Sequence, residues 1–323
     1  MQASVRTLTI IQAVRVRRCW SYELVPCLVG FNIENLVFKR LNPSDPSNYD
    51  VIPHPRVFES LAQSLTELQL YMSKFASLIH LVELICSLHK LERLSIESVT
   101  WFHIDQEFPS SERYKLPPNL QELQICLRRY DGALTKLMEW VAQYRGGALP
   151  AIHTLSIRSQ FSVNDRYVYT PAATRVLANV GSSLRRLTLA NFFEPRGRWE
   201  YPELLAANTE LHTLCFRDID LRDRFEANRI LVLRVSWIPS FLIQIASTSV
   251  EMMSFEILVR DVEHLGILEW QEIGRAFSLP RFAKLKRLEF KVSAPEQEAA
   301  RWIEARLPLE LMQRGVVHVS QLH

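Results

Sequence analysis

The chain has 323 residues, 48% of them hydrophobic and 23% charged, ample for a buried core. Its 38 basic and 35 acidic residues give a formal net charge of +3, too balanced to point to nucleic acid or an anionic membrane as partner. The five cysteines, Cys19, Cys27, Cys86, Cys126 and Cys215, are scattered without a Cys-x-x-Cys pair, which argues against a disulfide framework or zinc site and for a reducing compartment.

In chain order, one spacing recurs: an apolar residue, a second one three positions on, a third two beyond that. It is met at Val5, Leu8 and Ile10; at Ile33, Leu36 and Phe38; at Leu65, Leu68 and Leu70; and at Leu91, Leu94 and Ile96. It continues at Leu120, Leu123 and Ile125; at Ile152, Leu155 and Ile157; and at Leu184, Leu187 and Leu189. The last four are Leu211, Leu214 and Phe216; Ile230, Leu233 and Val235; Val250, Met253 and Phe255; and Leu285, Leu288 and Phe290. Successive starts lie 28, 32, 26, 29, 32, 32, 27, 19, 20 and 35 residues apart. Their mean, about 28, falls in the leucine-rich-repeat range of about 20–29. Side chains alternate along a strand, so the second and third residues face one way and the first joins them from the preceding bend. One such strand cannot stay dry; stacked strands with returning helices can. The predicted fold is α/β, a leucine-rich-repeat solenoid (horseshoe) with a parallel concave sheet, convex helices and irregular repeats. It is read as one array over residues 1–323, about eleven units, the first two weak.

Helical periodicity fills the gaps. Phe75, Leu78, Ile79, Val82 and Ile85 predict a helix with Ser73 as N-cap; Leu134, Leu137, Met138 and Val141 predict one between an Asp131 cap and a Gly146–Gly147 stop. A helix is expected from Pro171 to Gly181, a short one from Pro202 through Leu205, and another from Pro239. Ile267, Leu268, Trp270, Ile273 and Phe277 predict the next, and Pro295 opens the last, through Trp302 and Ile303. Tyr22 to Leu28 is read as a short helical turn despite Pro26. Asn42 to Pro55, Phe102 to Pro118, Gln160 to Thr170 and Asn191 to Trp199 read as loop insertions. The most apolar run, Ala76 to Cys86, holds His80 and Glu83 and is far shorter than the roughly 20 residues of a membrane span. Without a signal-peptide pattern either, an intracellular protein, cytoplasmic or nuclear, is expected.

The strings Val235–Ser236–Trp237–Ile238–Pro239, Gln244–Ile245–Ala246–Ser247–Thr248 and Glu251–Met252–Met253–Ser254–Phe255–Glu256 resemble the C-terminal half of leucine-rich-repeat proteins of mushroom-forming fungi, many of which carry an N-terminal F-box. Glu269–Trp270–Gln271–Glu272–Ile273 is similar to their next unit, and Leu307–Pro308 with Arg314–Gly315–Val316–Val317–His318–Val319 to their closing strand. The resemblance implies a ligand-binding repeat region, which in F-box relatives recruits substrates to a ubiquitin ligase. Two departures stand out. The first strand motif begins at Val5, leaving no room for an F-box of about forty residues, so the chain is either a truncated gene product or an F-box-less relative. The asparagine or cysteine that ties adjacent turns in that family is replaced by Ser73, Val99, Arg128, Gln160 and Phe192.

No phosphate cradle, nucleophile elbow or His-Glu-x-x-His metal motif occurs. Asp218, Asp220 and Asp223 alternate with Arg217, Arg222 and Arg224, which reads as mutual neutralisation in a solvated loop rather than calcium binding. No catalytic, cofactor or metal residue is therefore assigned, and no cofactor is expected. The candidate surface is the strand face turned from the core: Glu67, Gln69, Tyr71, Arg93, Glu97 and Glu122 early, then Arg158, Arg186, Arg217, Arg234 and Arg287. It leans acidic first and basic later, which favours another protein or an acidic peptide as partner. The function expected is non-enzymatic protein binding, like the substrate-recognition repeats of F-box proteins, with a cullin-ligase adaptor as partner only if an F-box lies upstream. The alternative is a stand-alone repeat scaffold unrelated to ubiquitin.

Overall fold

The computed structural model describes residues 6–12, 31–40, 58, 61–103, 113–128, 132–144, 149–160, 170–190, 204–222 and 237–322. They form an α/β protein with thirteen strands: β1 (Thr7–Gln12), β2 (Asn35–Arg40), β3 (Glu67–Tyr71), β4 (Lys74–Ser77), β5 (Arg93–Glu97), β6 (Thr100–His103), β7 (Glu122–Arg128), β8 (Thr154–Gln160), β9 (Arg186–Ala190), β10 (Thr213–Asp220), β11 (Met252–Leu258), β12 (Arg287–Val292) and β13 (Val317–Gln321). The chain divides into two compact units, Met1–His153 with Pro171–Asn179, and Thr154–Thr170 with Val180–His323. In the first, β1, β2, β3, β5 and β7 lie side by side in that order, all parallel, and β4 pairs with β6 apart from them. In the second, β8 to β13 follow strict chain order, again all parallel. Five parallel strands in the first unit and six in the second, each set paired in sequence order, are compatible with a repeat solenoid.

The register repeats with the motif. Leu8, Leu36, Leu68, Leu94 and Leu123 align across the first unit, and Leu155, Leu187, Leu214, Met253 and Leu288 across the second. The carbonyls of Arg6, Glu34, Thr66 and Glu92 each accept two successive N–H groups from the following turn, and those of Arg185, His212 and Glu251 do the same. A carbonyl has two lone pairs, and these seven use both. From Leu65 onward, every first, second and third motif residue of the described units is buried.

The Ile230, Leu233 and Val235 triplet lies outside the described residues. Because β10 pairs directly with β11, with Leu214 opposite Met253, it adds no strand between them. The eleventh strand is instead β13, at the segment similar to a closing strand. Tyr22 to Leu28 and most of the predicted insertions also lie outside the described residues.

Several helix boundaries differ from expectation for local reasons. α1 (Leu78–Ser87) is capped by Ser77, whose Oγ accepts from the His80 N–H at 3.3 Å, because Lys74 to Ser77 extend into β4 and take Phe75 with them. Ser73, the expected cap, instead donates to the Tyr71 carbonyl. Ser77→Ala is therefore expected to cost about 1 kcal/mol in urea denaturation, and Ser73→Ala clearly less. α2 (Gly132–Ala142) follows; its expected cap and stop lie outside the described residues. α3 (Thr170–Val180) ends at Gly181, which takes φ +57, the left-handed conformation glycine reaches without a Cβ clash. Residues 204–207 form a turn, not the expected helix. α4 (Trp237–Gln244) starts two residues before Pro239, which sits in the first turn where no N–H is needed. The single helix expected around Trp270 is a 3-10 turn, Val262–Ile267, followed by α5 (Trp270–Phe277). The indole N–H of Trp270 donates to the Leu265 carbonyl at 2.7 Å across the break. α6 (Glu296–Glu304) is joined by an unforeseen short helix, α7 (Leu309–Gln313).

The asparagine ladder has a partial substitute. Ser293, just past β12, bridges the turn before it, its hydroxyl accepting from the Val259 N–H at 2.8 Å and donating to the Val259 carbonyl at 2.9 Å. Elsewhere the tying groups lie on the other side of the strands: Asn119 to the His89 carbonyl, Asn179 to Ala142, Asn208 to Gly181 and Ser247 to Leu211.

Candidate functional site

Alternation that buries Leu68 and Leu70 turns their neighbours outward, and equal register stacks these into rows across the strands. In the first unit one row holds Asn35, Glu67, Arg93 and Glu122, and another Lys39, Tyr71 and Glu97, with the buried Cys126 opposite Glu97. Nε and Nη2 of Arg93 both donate to Glu67 Oε2, at 3.1 and 2.8 Å, and Gln69 Nε2 donates to Glu67 Oε1 at 2.6 Å. Thus Glu67, Gln69, Tyr71, Arg93, Glu97 and Glu122 do share a face, with Glu67 and Arg93 already satisfying each other.

The second unit carries the denser network. Its rows are Thr154, Arg186, Thr213, Met252 and Arg287; then Ser156, Thr188, Cys215, Ser254, Glu289 and His318; then Arg158, Ala190, Arg217, Glu256, Lys291 and Ser320. Arg217 pairs with Glu256 at 3.4 Å, and Lys291 stands 3.8 Å from Glu256 and 3.5 Å from Glu289. Arg287 pairs with Glu289 at 2.6 Å, and Ser254 Oγ donates to the same carboxylate at 3.4 Å. Arg234 lies outside the described residues.

Asp218 belongs to this face, not to a solvated loop. It has φ +57 in a bulge of β10, where Phe216 is opposite Phe255 and Ile219 opposite Ile257, so Arg217 and Asp218 together face Glu256. Without the extra residue Asp218 would take an inward, core position. With it, Asp218 pairs with Arg158 of β8 at 2.9 Å, across the intervening β9, whose residue opposite both Arg158 and Arg217 is the small Ala190. Met72 and Ser98 share the left-handed conformation and, like Asp218, lie seven residues beyond the first motif residue, here Leu65, Leu91 and Leu211. Asp220 pairs with Arg222 at 2.7 Å, as mutual neutralisation requires; Asp223 and Arg224 lie outside the described residues. Nothing in the apolar spacing marks the bulge or the Glu256 partnership.

Glu289 is nearly buried, its side chain 10% exposed. Burial pushes its carboxyl up, but the bonds to Arg287 and the charge of Lys291 more than offset this and hold it below the usual carboxylate value. A depressed folded-state pKa contributes stability above the unfolded value, about 4.3, and loses it as pH falls through the folded value. The stability difference between wild type and Glu289→Gln is therefore expected to be full at pH 7 and to shrink below about pH 4; a difference unchanged down to pH 2 would remove the ion-pair explanation. Burial also pushes the Cys215 thiol up, and burial with the adjacent Glu83 carboxylate pushes Cys86 up to about 12, so neither is an activated nucleophile.

Among the described residues no group of three or more His, Cys, Asp or Glu is placed to hold a metal ion, and no helix is long and apolar enough to cross a membrane. An open groove of about 890 Å³ lies beside α4, lined by Ser240, Ile243, Gln244 and Arg281 among others; the Arg281 guanidinium is engaged with the Ile243 and Ile245 carbonyls. The charged strand face of the second unit is thus the strongest candidate site. No protein-family model matches the chain, and no curated protein matches it either, so the reading of this site rests on its own geometry.

Proposed function

We propose that this chain is a non-catalytic protein-binding module of the leucine-rich-repeat type, which engages its partner on the outward strand face of the second unit. The observation that carries the reading is the division of labour within each strand. Leu187, Leu214, Met253 and Leu288 are buried, whereas Arg186, Arg217 and Arg287, one residue before or three beyond, are exposed on a rigid, hydrogen-bonded platform. Such a surface presents fixed charges, which suits recognition of another macromolecule. The resemblance to fungal F-box repeat proteins extends the proposal: the partner is a protein delivered to a ubiquitin ligase.

The test is affinity capture with the full chain, followed by mass spectrometry, comparing wild type with Arg186→Glu/Arg217→Glu. Both side chains are exposed, so the fold is expected to survive. A partner lost on charge reversal supports the face as the site; a partner captured unchanged removes it. Recovery of a cullin-ligase adaptor with the partner supports the ubiquitin reading, and recovery of the partner alone leaves a stand-alone scaffold.

A further inference from the structure

The charges on the second unit's face do not cancel. Among the described residues Arg217, Lys291 and Arg287 face only Glu256 and Glu289, leaving one positive charge in that cluster, while Arg158 and Asp218 neutralise each other. Arg186 adds a second. It is exposed, its row neighbours are Thr154 and Thr213, and it faces no carboxylate among the described residues. Arg186 on β9, which meets no carboxylate among the described residues, and Arg287 on β12, paired with Glu289 yet about half exposed, lie in the same row with Thr213 and Met252 between them.

Resting on the binding reading above, we infer that this row takes an extended acidic peptide lying across the strands, with two carboxylates about four residues apart and an apolar side chain midway between them. The spacing follows from the sheet. Three strand-to-strand steps of about 4.8 Å separate Arg186 from Arg287 by about 14 Å, and an extended chain covers about 3.3 Å per residue. One carboxylate meets Arg186, where a planar guanidinium favours a two-pronged carboxylate bond. The other meets Arg287, which Glu289 holds on one side and leaves about half exposed. The midpoint falls on Thr213 and Met252, both half-buried. Met252 offers a polarizable, adaptable thioether floor for an apolar side chain. A basic peptide would meet the net positive charge at every position along this row.

The experiment is fluorescence anisotropy with the full chain and a labelled synthetic peptide of this pattern, against a second peptide of the same composition with its two carboxylates adjacent. The patterned peptide is expected to bind about tenfold more tightly than the rearranged one, and Arg186→Gln to weaken it about tenfold while Arg275→Gln, on α5, leaves it unchanged. Equal affinity for the two peptides overturns the spacing. Indifference to Arg186→Gln overturns the site, and so does a single-stranded oligonucleotide that displaces the patterned peptide at equal charge, since it shows a general anion surface. If the peptides fail while a captured protein is still lost with Arg186→Glu/Arg217→Glu, the acidic-peptide inference falls and the binding face stands.

Discussion

Phe255→Ala is expected to lower the unfolding free energy by about 3–5 kcal/mol. Phe255 is buried on β11 between the same motif position of both neighbouring strands. It stacks on Phe216 at 5.0 Å and on Phe290 at 5.2 Å, the three rings forming a column across β10, β11 and β12. Phe277 of α5 meets the ring edge-on at 6.5 Å, so the column also joins sheet to helix. Backbone hydrogen bonds hold the strand positions, so the site cannot collapse to fill the space and a cavity remains. Phe255→Leu keeps much of the volume and is expected to cost distinctly less. The measurement is a urea denaturation series with unchanged slope and lowered midpoint. A loss below about 1 kcal/mol for the alanine variant would show that the column does not support the second unit.

The second large effect lies in the first unit. Trp140 of α2 is fully buried and packs edge-on against Tyr144 at 6.0 Å. The Tyr144 hydroxyl in turn accepts from the Leu116 N–H at 2.9 Å and donates to the Tyr114 carbonyl, pinning the segment that leads into β7. Trp140→Ala is expected to cost about 3–5 kcal/mol and to loosen that segment as well as the helix. Trp140→Phe is expected to cost markedly less than its lost volume implies. The indole N–H is buried without an acceptor among the described residues, and removing such a group recovers about 1–3 kcal/mol of desolvation. Hydrogen exchange over α2 and residues 113–117 reads both changes locally. Equal losses for the two variants would mean that the indole N–H does have a partner.

The core was legible because its rule is short. Leu94 and Ile96, or Leu214 and Phe216, are separated by two positions, the period of a strand, so the triplets identify both the strands and the buried face. The outward residues follow by alternation, which is why Glu67, Arg93, Arg186 and Arg287 share rows as expected. What apolar spacing does not encode is everything that depends on a neighbour's polar group. Asp218 reads as a loop residue until a bulge turns it outward toward Arg158. Glu256 and Glu289 sit at ordinary outward positions, and only the register reveals that they pair with Arg217 and Arg287. The Ile230 triplet satisfies the same rule, yet β10 and β11 pair directly with no strand between them. β4 and β6 are not marked by the spacing for a related reason: Phe75 fits a helical stripe as well as a strand, and the pairing with Trp101 decides it.

Site-specific photo-crosslinking in cells decides whether the outward strand face of the second unit is the binding surface. A photoreactive amino acid is placed singly at Thr213 or Met252 on that face, and at Gln271 or Glu298 on the exposed sides of α5 and α6. The expected result is a discrete adduct with one protein from positions 213 and 252, and none from 271 or 298. Adducts from the helix positions with none from the strand face would place the binding surface on the helices instead.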